Sequence, residues 1–393
     1  MERWLKRVIM LVAVVLLTGL PLAGCGGQKA ENGGGTEKQG TEQKAPYKVG
    51  VILSTTGSYA QMGGPEKDAI EYYIKKVNND GGINGHQIDL IVEDDEGSPG
   101  KAQTLARKLI DQDKVSAIVG PAFSTTVQAA VVVAEEKKVP LIFFSPTGKI
   151  AQGKKYIFYN VPDAALDAKA ISKFMVNDIK VMNIGIIYDT TEYGKTATAQ
   201  FEKAVAATPG MKVLGKEAYD PSDTDMSPQL LKLKNTNPDV IYIGGSGAGP
   251  ARVLKSIRQV GYQGKVVGAS GVCNDATIKN AGAAAEGAYV SSRLNFGSPN
   301  EVEKALFDFV KEKTGGLPSS FHANGWDGAL LLVEAMRTAG DDREKIREAL
   351  ENTKGLQGVI GVYNMTATNH NGLALDAVKM VRIKDGKWVP WNE

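Results

Sequence analysis

The chain has 393 residues, with 46 Lys and Arg against 44 Asp and Glu, so its bulk charge of +2 draws in neither nucleic acid nor an anionic membrane. Two cysteines, Cys25 and Cys273, and three scattered histidines, His86, His322 and His370, show no metal-ligand spacing, and no metal or cofactor is expected. The length is too great for one ordinary core, which makes two domains the default.

In chain order, Arg3, Lys6 and Arg7 precede an apolar run over 8–20, and Leu22-Ala23-Gly24-Cys25 sets small residues before a cysteine. The run is short of the about 20 apolar residues a membrane span needs. Residues 1–24 therefore resemble a bacterial lipoprotein signal peptide, with Cys25 as the lipid-bearing first residue, and an uncleaved anchor helix as the alternative. Its removal leaves acid and base in balance and only Cys273 free, so no intrachain disulfide is possible. Residues 25–46 are rich in Gly, Gln, Glu and Lys and read as a flexible tether.

Strands and helices then alternate. Strand 47–53, helix 64–79, strand 87–92, helix 100–112, strand 115–119, helix 125–137 and strand 139–144 form a first series. A short strand at 157–161 leads to a second: helix 164–177, strand 183–188, helix 193–207, strand 212–219, helix 226–234, strand 240–243, helix 250–260 and strand 265–268. Helices follow over 301–313, 321–338 and 343–352, and the tail reads as a β-hairpin around Asp385-Gly386. Apolar strands alternating with helices argue an α/β fold with parallel, doubly wound sheets, and the repeat of the pattern argues two similar lobes.

In open α/β sheets a ligand lies beyond the carboxyl ends of the strands. Those ends hold Ser54, Thr55, Asp94, Asp95, 120–124 and 145–149 in the first half, and 189–193, 244–249 and 269–274 in the second. They are hydroxyl residues, glycines and a few carboxylates, with no catalytic set among them, so no enzyme is expected. The glycines at 244–249 fail the dinucleotide frame, because Pro250 or Ser246 falls where a glycine is required. Gly194-Lys195-Thr196 fails as a phosphate loop, because Asp189 occupies the upstream glycine position. Asp94-Asp95-Glu96 reads either as a cation site or as a solvated turn. Ser124, after the Gly120-Pro121 turn, stands where a helix N-cap belongs. It either caps its own helix or, with the free N–H groups and the helix dipole, holds a carboxylate.

Several segments together, KVGVILSTTGSYAQMG, VNNDGGINGHQIDLIVEDDEGSP, AIVGPAFSTTVQAA, VPLIFFSPTG, DTTEYGKT, DVIYIGGSGAG and GWDGALLLVEA, resemble the type I periplasmic binding proteins, and most nearly the Leu/Ile/Val-binding branch that serves ABC importers. The resemblance covers residue 47 to the C-terminus. It implies two Rossmann-like doubly wound lobes joined by a three-crossover hinge, closing over a small-molecule ligand that is bound and not transformed. The lobes would comprise 47–162 with 292–355, and 163–291 with 356–393. It further implies an extracytoplasmic, lipid-anchored monomer that partners ABC permease subunits, or alternatively a sensor reporting to a membrane receptor.

Carried over by position, Ser124 would hold the ligand carboxylate, with Phe123 and Thr126 beside it. Thr147 and Lys149 lie on the next turn, Tyr193 would close from the second lobe, and Ser246 lies in its Gly-Gly turn. Tyr59 and Met62 lie near a first-loop contact. The glutamate by which amino-acid binders of this branch neutralise the ligand ammonium is Ser270 here, and Lys149 replaces a neutral residue. Both changes favour an acid without an amine, unless Asp275, Asp189 or Asp94 replaces the glutamate or Lys149 points to water. An amino acid or related small carboxylate is the expected ligand, with a non-amine organic or aromatic acid as the alternative.

Overall fold

The computed structural model describes residues 44–297 and 299–393. The signal-peptide and Cys25 expectations, and the tether as far as residue 43, lie outside them. The last tether residues are ordered: strand β1 (Lys44–Leu53) begins at Lys44, which pairs with His86.

The first lobe continues through α1 (Ala60–Asn79), β2 (His86–Asp94), α2 (Pro99–Asp111), β3 (Ala117–Val119), α3 (Ser124–Glu136), β4 (Leu141–Phe143) and β5 (Ile157–Tyr159). These strands form one parallel sheet in the order β2-β1-β3-β4-β5. In β1, Val49, Val51 and Leu53 enter one core while Ile52 enters the core on the opposite face, the two-residue alternation of a sheet covered on both sides.

The second lobe is built from α4 (Ala164–Asn177), β6 (Asn183–Asp189), α5 (Glu192–Ala206), β7 (Lys212–Tyr219), α6 (Ser227–Asn235), β8 (Val240–Gly244), α7 (Gly249–Gln259), β9 (Lys265–Gly268), α8 (Asp275–Ala281) and β10 (Tyr289–Ser292). The chain then forms α9 (Glu301–Thr314), α10 (Ser320–Ala339), α11 (Arg343–Glu351), the short strands β11 (Leu356–Gln357) and β12 (Val362–Tyr363), and the hairpin β13 (Lys379–Lys384) and β14 (Lys387–Pro390). The second sheet runs β7-β6-β8-β9-β10-β13-β14, with the hairpin strands antiparallel. Its first five strands repeat the order of the first lobe. In both lobes the strand order reverses beside the first strand, so the switch points lie at β1/β3 and at β6/β8. Helix α8 and strand β10 are additions to the sequence reading.

Helix α10 (SFHANGWDGALLLVEAMRTA) is apolar nearly all round and is buried accordingly, against α1 and the first sheet. Gly325 makes that approach possible, since a Cβ there would meet the Glu66 carbonyl at 2.2 Å. The expectation that 356–393 belongs to the second lobe is corrected in its first part. Val359, Ile360, Tyr363, Met365, Leu373 and Ala377 share the first lobe's core with α10, and only the hairpin beyond them joins the second sheet. Apolar residues in a segment whose strands are only two residues long leave no periodicity from which to read this. Among the described residues no helix is long and apolar enough to cross a membrane.

Candidate functional site

The carboxyl ends of both sheets face one narrow cavity of about 40 Å³. The first lobe contributes Met62 from α1, Phe123 and Ser124 from the β3–α3 turn, and Phe144 and Ser145 from the end of β4. The second contributes Tyr193 at the start of α5, Ser246 after β8, and Ser270 and Gly271 after β9. Arg293, just past β10, and Phe321 and Asn324 of α10 complete the wall. Small-molecule clefts usually measure about 300–1,000 Å³. This cavity is well below that range, so a small-molecule ligand would need its walls to move apart.

Ser124 departs from the capping expectation. Helix α3 begins at Ser124 itself, and Phe123, in an extended conformation, is the N-cap without a side-chain cap bond. The Ser124 hydroxyl is therefore not used on its own helix. It shares a hydrogen bond with Ser145 Oγ at 2.9 Å, and Ser145 shares another with Thr147 Oγ1 at 2.9 Å. The first-turn N–H groups of α3 have no partners within the helix, and the dipole adds partial positive charge there. Gly120 sets up this turn with φ +88°, where a Cβ would meet the Ile52 carbonyl at 2.1 Å.

Of the residues expected at the site, the structure brings Met62, Phe123, Ser124, Tyr193, Ser246 and Ser270 together around the cavity. The other four stand behind or beside it. Tyr59 stacks on Phe123 with ring centroids 3.8 Å apart. Thr126 is buried and donates to the Phe123 carbonyl, bracing the turn from within. Thr147 reaches the site only through Ser145, and lines with Lys149 a separate groove of about 450 Å³ between 146–150 and α5. Lys149 is exposed, so it adds no charge to the cavity. A larger hollow of about 590 Å³ along 148–155 and 367–370 shares no residue with the cavity.

None of the three carboxylates weighed as a replacement for the missing glutamate lines the cavity. Asp94 is occupied by its own turn. Partial burial pushes its pKa up, but hydrogen bonds from Thr56 Oγ1 and the N–H groups of Glu96 and Thr55 outweigh that and hold it at about 2. Asp95 accepts from Ser54 Oγ at 2.5 Å and Gly97 N–H at 2.8 Å, and Glu96 pairs with Lys101 at 2.7 Å. The acidic run is thus an internally bonded turn, and no metal-binding cluster occurs among the described residues. Asp275 accepts from Trp388 Nε1 at 3.2 Å. Asp189 is buried and holds the second lobe's loops, accepting from the N–H groups of Thr191 at 3.1 Å and Ser246 at 2.9 Å and from the Thr191 hydroxyl.

Four polar residues were not anticipated. Asp167 of α4 lies behind Ser270, accepting its N–H at 3.4 Å, and burial raises its pKa. Arg293 is 6% exposed and donates Nη1–H to Asn324 Oδ1 at 2.6 Å. Asn324 in turn donates to Glu66 Oε1 at 2.9 Å. Glu66 is fully buried. Burial lifts its pKa to about 8, against the Asn324 hydrogen bond and the Arg293 charge, so it is largely neutral at pH 7. One signal for Arg293 was available, since AYVSS is a short strand-like run and the arginine two residues past Ser291 stands at its carboxyl end. On the second lobe's side, Gly271 N–H donates to Tyr193 Oη at 2.8 Å, which ties the β9 turn to α5.

Residues 46–387 match the periplasmic binding protein family. The leucine-, isoleucine-, valine-, threonine-, and alanine-binding protein of Pseudomonas aeruginosa is 28% identical over 306 residues, 77% of this chain and 81% of that protein. A leucine binding protein of Thermotoga maritima superposes with a TM-score of 0.80 at 26% identity, over 87% of this chain and 97% of that one. The branched-chain amino acid transporter substrate binding protein of Streptococcus pneumoniae, solved with isoleucine, gives the same score, identity and coverage. The paired sheets, their shared cleft and these matches agree: the chain belongs to the type I periplasmic binding proteins of the branched-chain amino acid family and is a solute-binding protein, not an enzyme.

Proposed function

We propose that this is the extracytoplasmic, lipid-anchored binding component of an ABC importer, taking an amino acid or related small carboxylate between its lobes. The observation that carries the reading is Ser124: a hydroxyl not used by its own helix, at the start of α3, facing a cavity that both lobes complete. A carboxylate there would accept from hydroxyls and first-turn N–H groups together. The relatives named for branched-chain amino acids support the substrate class, and the small-residue run ending at Cys25 supports the anchor. Handover to permease subunits follows from the importer role, with the protein acting as a monomer.

A thermal-shift screen over amino acids and simple carboxylates tests the substrate class. Ligand at about 100 times its Kd should add about 2.7 kcal/mol of stability. The absence of any shift at millimolar concentration would remove this class. Ser124→Ala should weaken binding about tenfold or more, the loss of one charge-assisted hydrogen bond, while the unliganded protein stays within about 1 kcal/mol of wild type. Unchanged affinity, measured by titration calorimetry, would take Ser124 out of the site. Cys25→Ala should release the protein from the membrane fraction, and retention there would refute lipidation at that residue.

A further inference from the structure

Among the residues lining the cavity, Arg293 is the one with a charged side chain. Arg293 is buried, yet the hydrogen bonding of its guanidinium is far from complete. Nη1 donates to Asn324, and Nε–H has no partner. Among the described residues no carboxylate oxygen lies within 4.0 Å of it. Glu66 and Asp167 act on it only from beyond contact distance: Glu66 is hydrogen-bonded to Asn324 and largely neutral at pH 7, and Asp167, its pKa also raised by burial, accepts from the Ser270 N–H. A buried guanidinium in this state has unused donors, and it keeps its charge because arginine does not deprotonate in proteins. Leaving such donors unmet is costly, so an acceptor reaching them from the cavity is strongly favoured. A ligand ammonium in the same small space would meet like charge, with no carboxylate in the lining to offset it.

We propose that Arg293 determines specificity in this cleft, selecting organic acids whose polar end carries oxygen acceptors and no ammonium, such as 2-oxo or 2-hydroxy carboxylates, over the corresponding 2-amino acids. The inference rests on the reading of the cavity as a carboxylate-binding cleft and sharpens its ligand class. Lys149 is exposed, which leaves Arg293 as the source of positive charge at the site.

Titration calorimetry of the purified protein with matched 2-oxo and 2-amino acids, on branched, aromatic and short straight carbon skeletons, tests it. On the skeleton that fits, the oxo acid should bind about 10- to 100-fold tighter than its amino counterpart, the range of a charge-assisted hydrogen bond. Arg293→Met should bring the two within about threefold of each other, and Arg293→Lys should keep part of the preference. Should Arg293→Met fail to fold, the wild-type ratio still decides. Ser270→Glu, which supplies a carboxylate, should move that ratio at least tenfold toward the amino acid. An amino acid that binds as tightly as its oxo counterpart in the wild type overturns the role of Arg293 and leaves the carboxylate cleft standing. Binding of neither acid on any skeleton overturns both.

Discussion

Asp327→Ala is expected to lower the stability of the protein by about 3–5 kcal/mol, read as a shift of the midpoint in chemical denaturation. Asp327 lies on α10 with no exposed surface. Its carboxylate accepts from the N–H groups of Val359 at 2.7 Å and Ile360 at 2.8 Å and from Tyr363 Oη at 2.8 Å. Burial pushes its pKa up to about 6 even with these donors aimed at it. Alanine would strand two backbone donors in a dry core and leave the Tyr363 hydroxyl only the Asn160 carbonyl, and unmet buried groups cost about 1–3 kcal/mol each. Tyr363 also donates to the Asn160 carbonyl, and Asn160 Nδ2 donates to that of Asn324 at 2.7 Å, so one network ties the chain's exit from the first lobe to the helix that holds Asn324. Asp327→Asn, which keeps one acceptor oxygen, should lose less. A loss below about 1 kcal/mol for the alanine variant would mean that the two backbone donors find other partners.

Glu66→Gln should make the protein more stable than wild type at pH 9 by several kcal/mol, with little difference at pH 5. The folded-state pKa of Glu66 is raised to about 8 from the ordinary 4.5, chiefly by burial. The folded protein therefore holds a proton that the unfolded chain releases. The stability this contributes is fully present below about pH 4.5 and is lost as pH rises through about 8, at about 1.36 kcal/mol per pH unit at most. Glutamine keeps an acceptor for the Asn324 amide and has nothing to titrate, so the difference between the two proteins should open across that window. Asp327 titrates in the same direction in both proteins and cancels. Parallel stability curves of the two from pH 5 to 9 would show that Glu66 ionises without cost, with Arg293 compensating the charge fully.

Much of the architecture was legible because it rests on local patterns. Short apolar strands, capped helices and Gly- or Ser-rich turns recur at short range, and the helix 164–177 and the strands 212–219 and 265–268 were placed at their observed limits. Phe123, Ser124, Tyr193, Ser246 and Ser270 could be marked out for the same reason. Each stands at the end of a strand or the start of a helix, positions that a parallel sheet directs to one side. Lys149, Thr147, Thr126 and Tyr59 sit equally close to such ends, but rotation of a side chain away from the cavity is set by neighbours distant in sequence. Stacking on Phe123 holds Tyr59, Ser145 stands between Thr147 and the cavity, and solvent takes Lys149.

By its sequence alone the protein was committed to paired α/β lobes and to a serine at a helix start beside a cleft, since periodicity and turn chemistry act over a few residues. The charge of that cleft was decided by tertiary structure. Arg293, Asn324 and Glu66 come from a strand end and two helices, and they meet because Gly325 lets α10 lie directly on the backbone of α1. Burial then neutralises Glu66 and leaves the guanidinium with no ion pair at contact distance among the described residues, Asp167 acting on it from further off, a state that depends on desolvation and so on the packed structure.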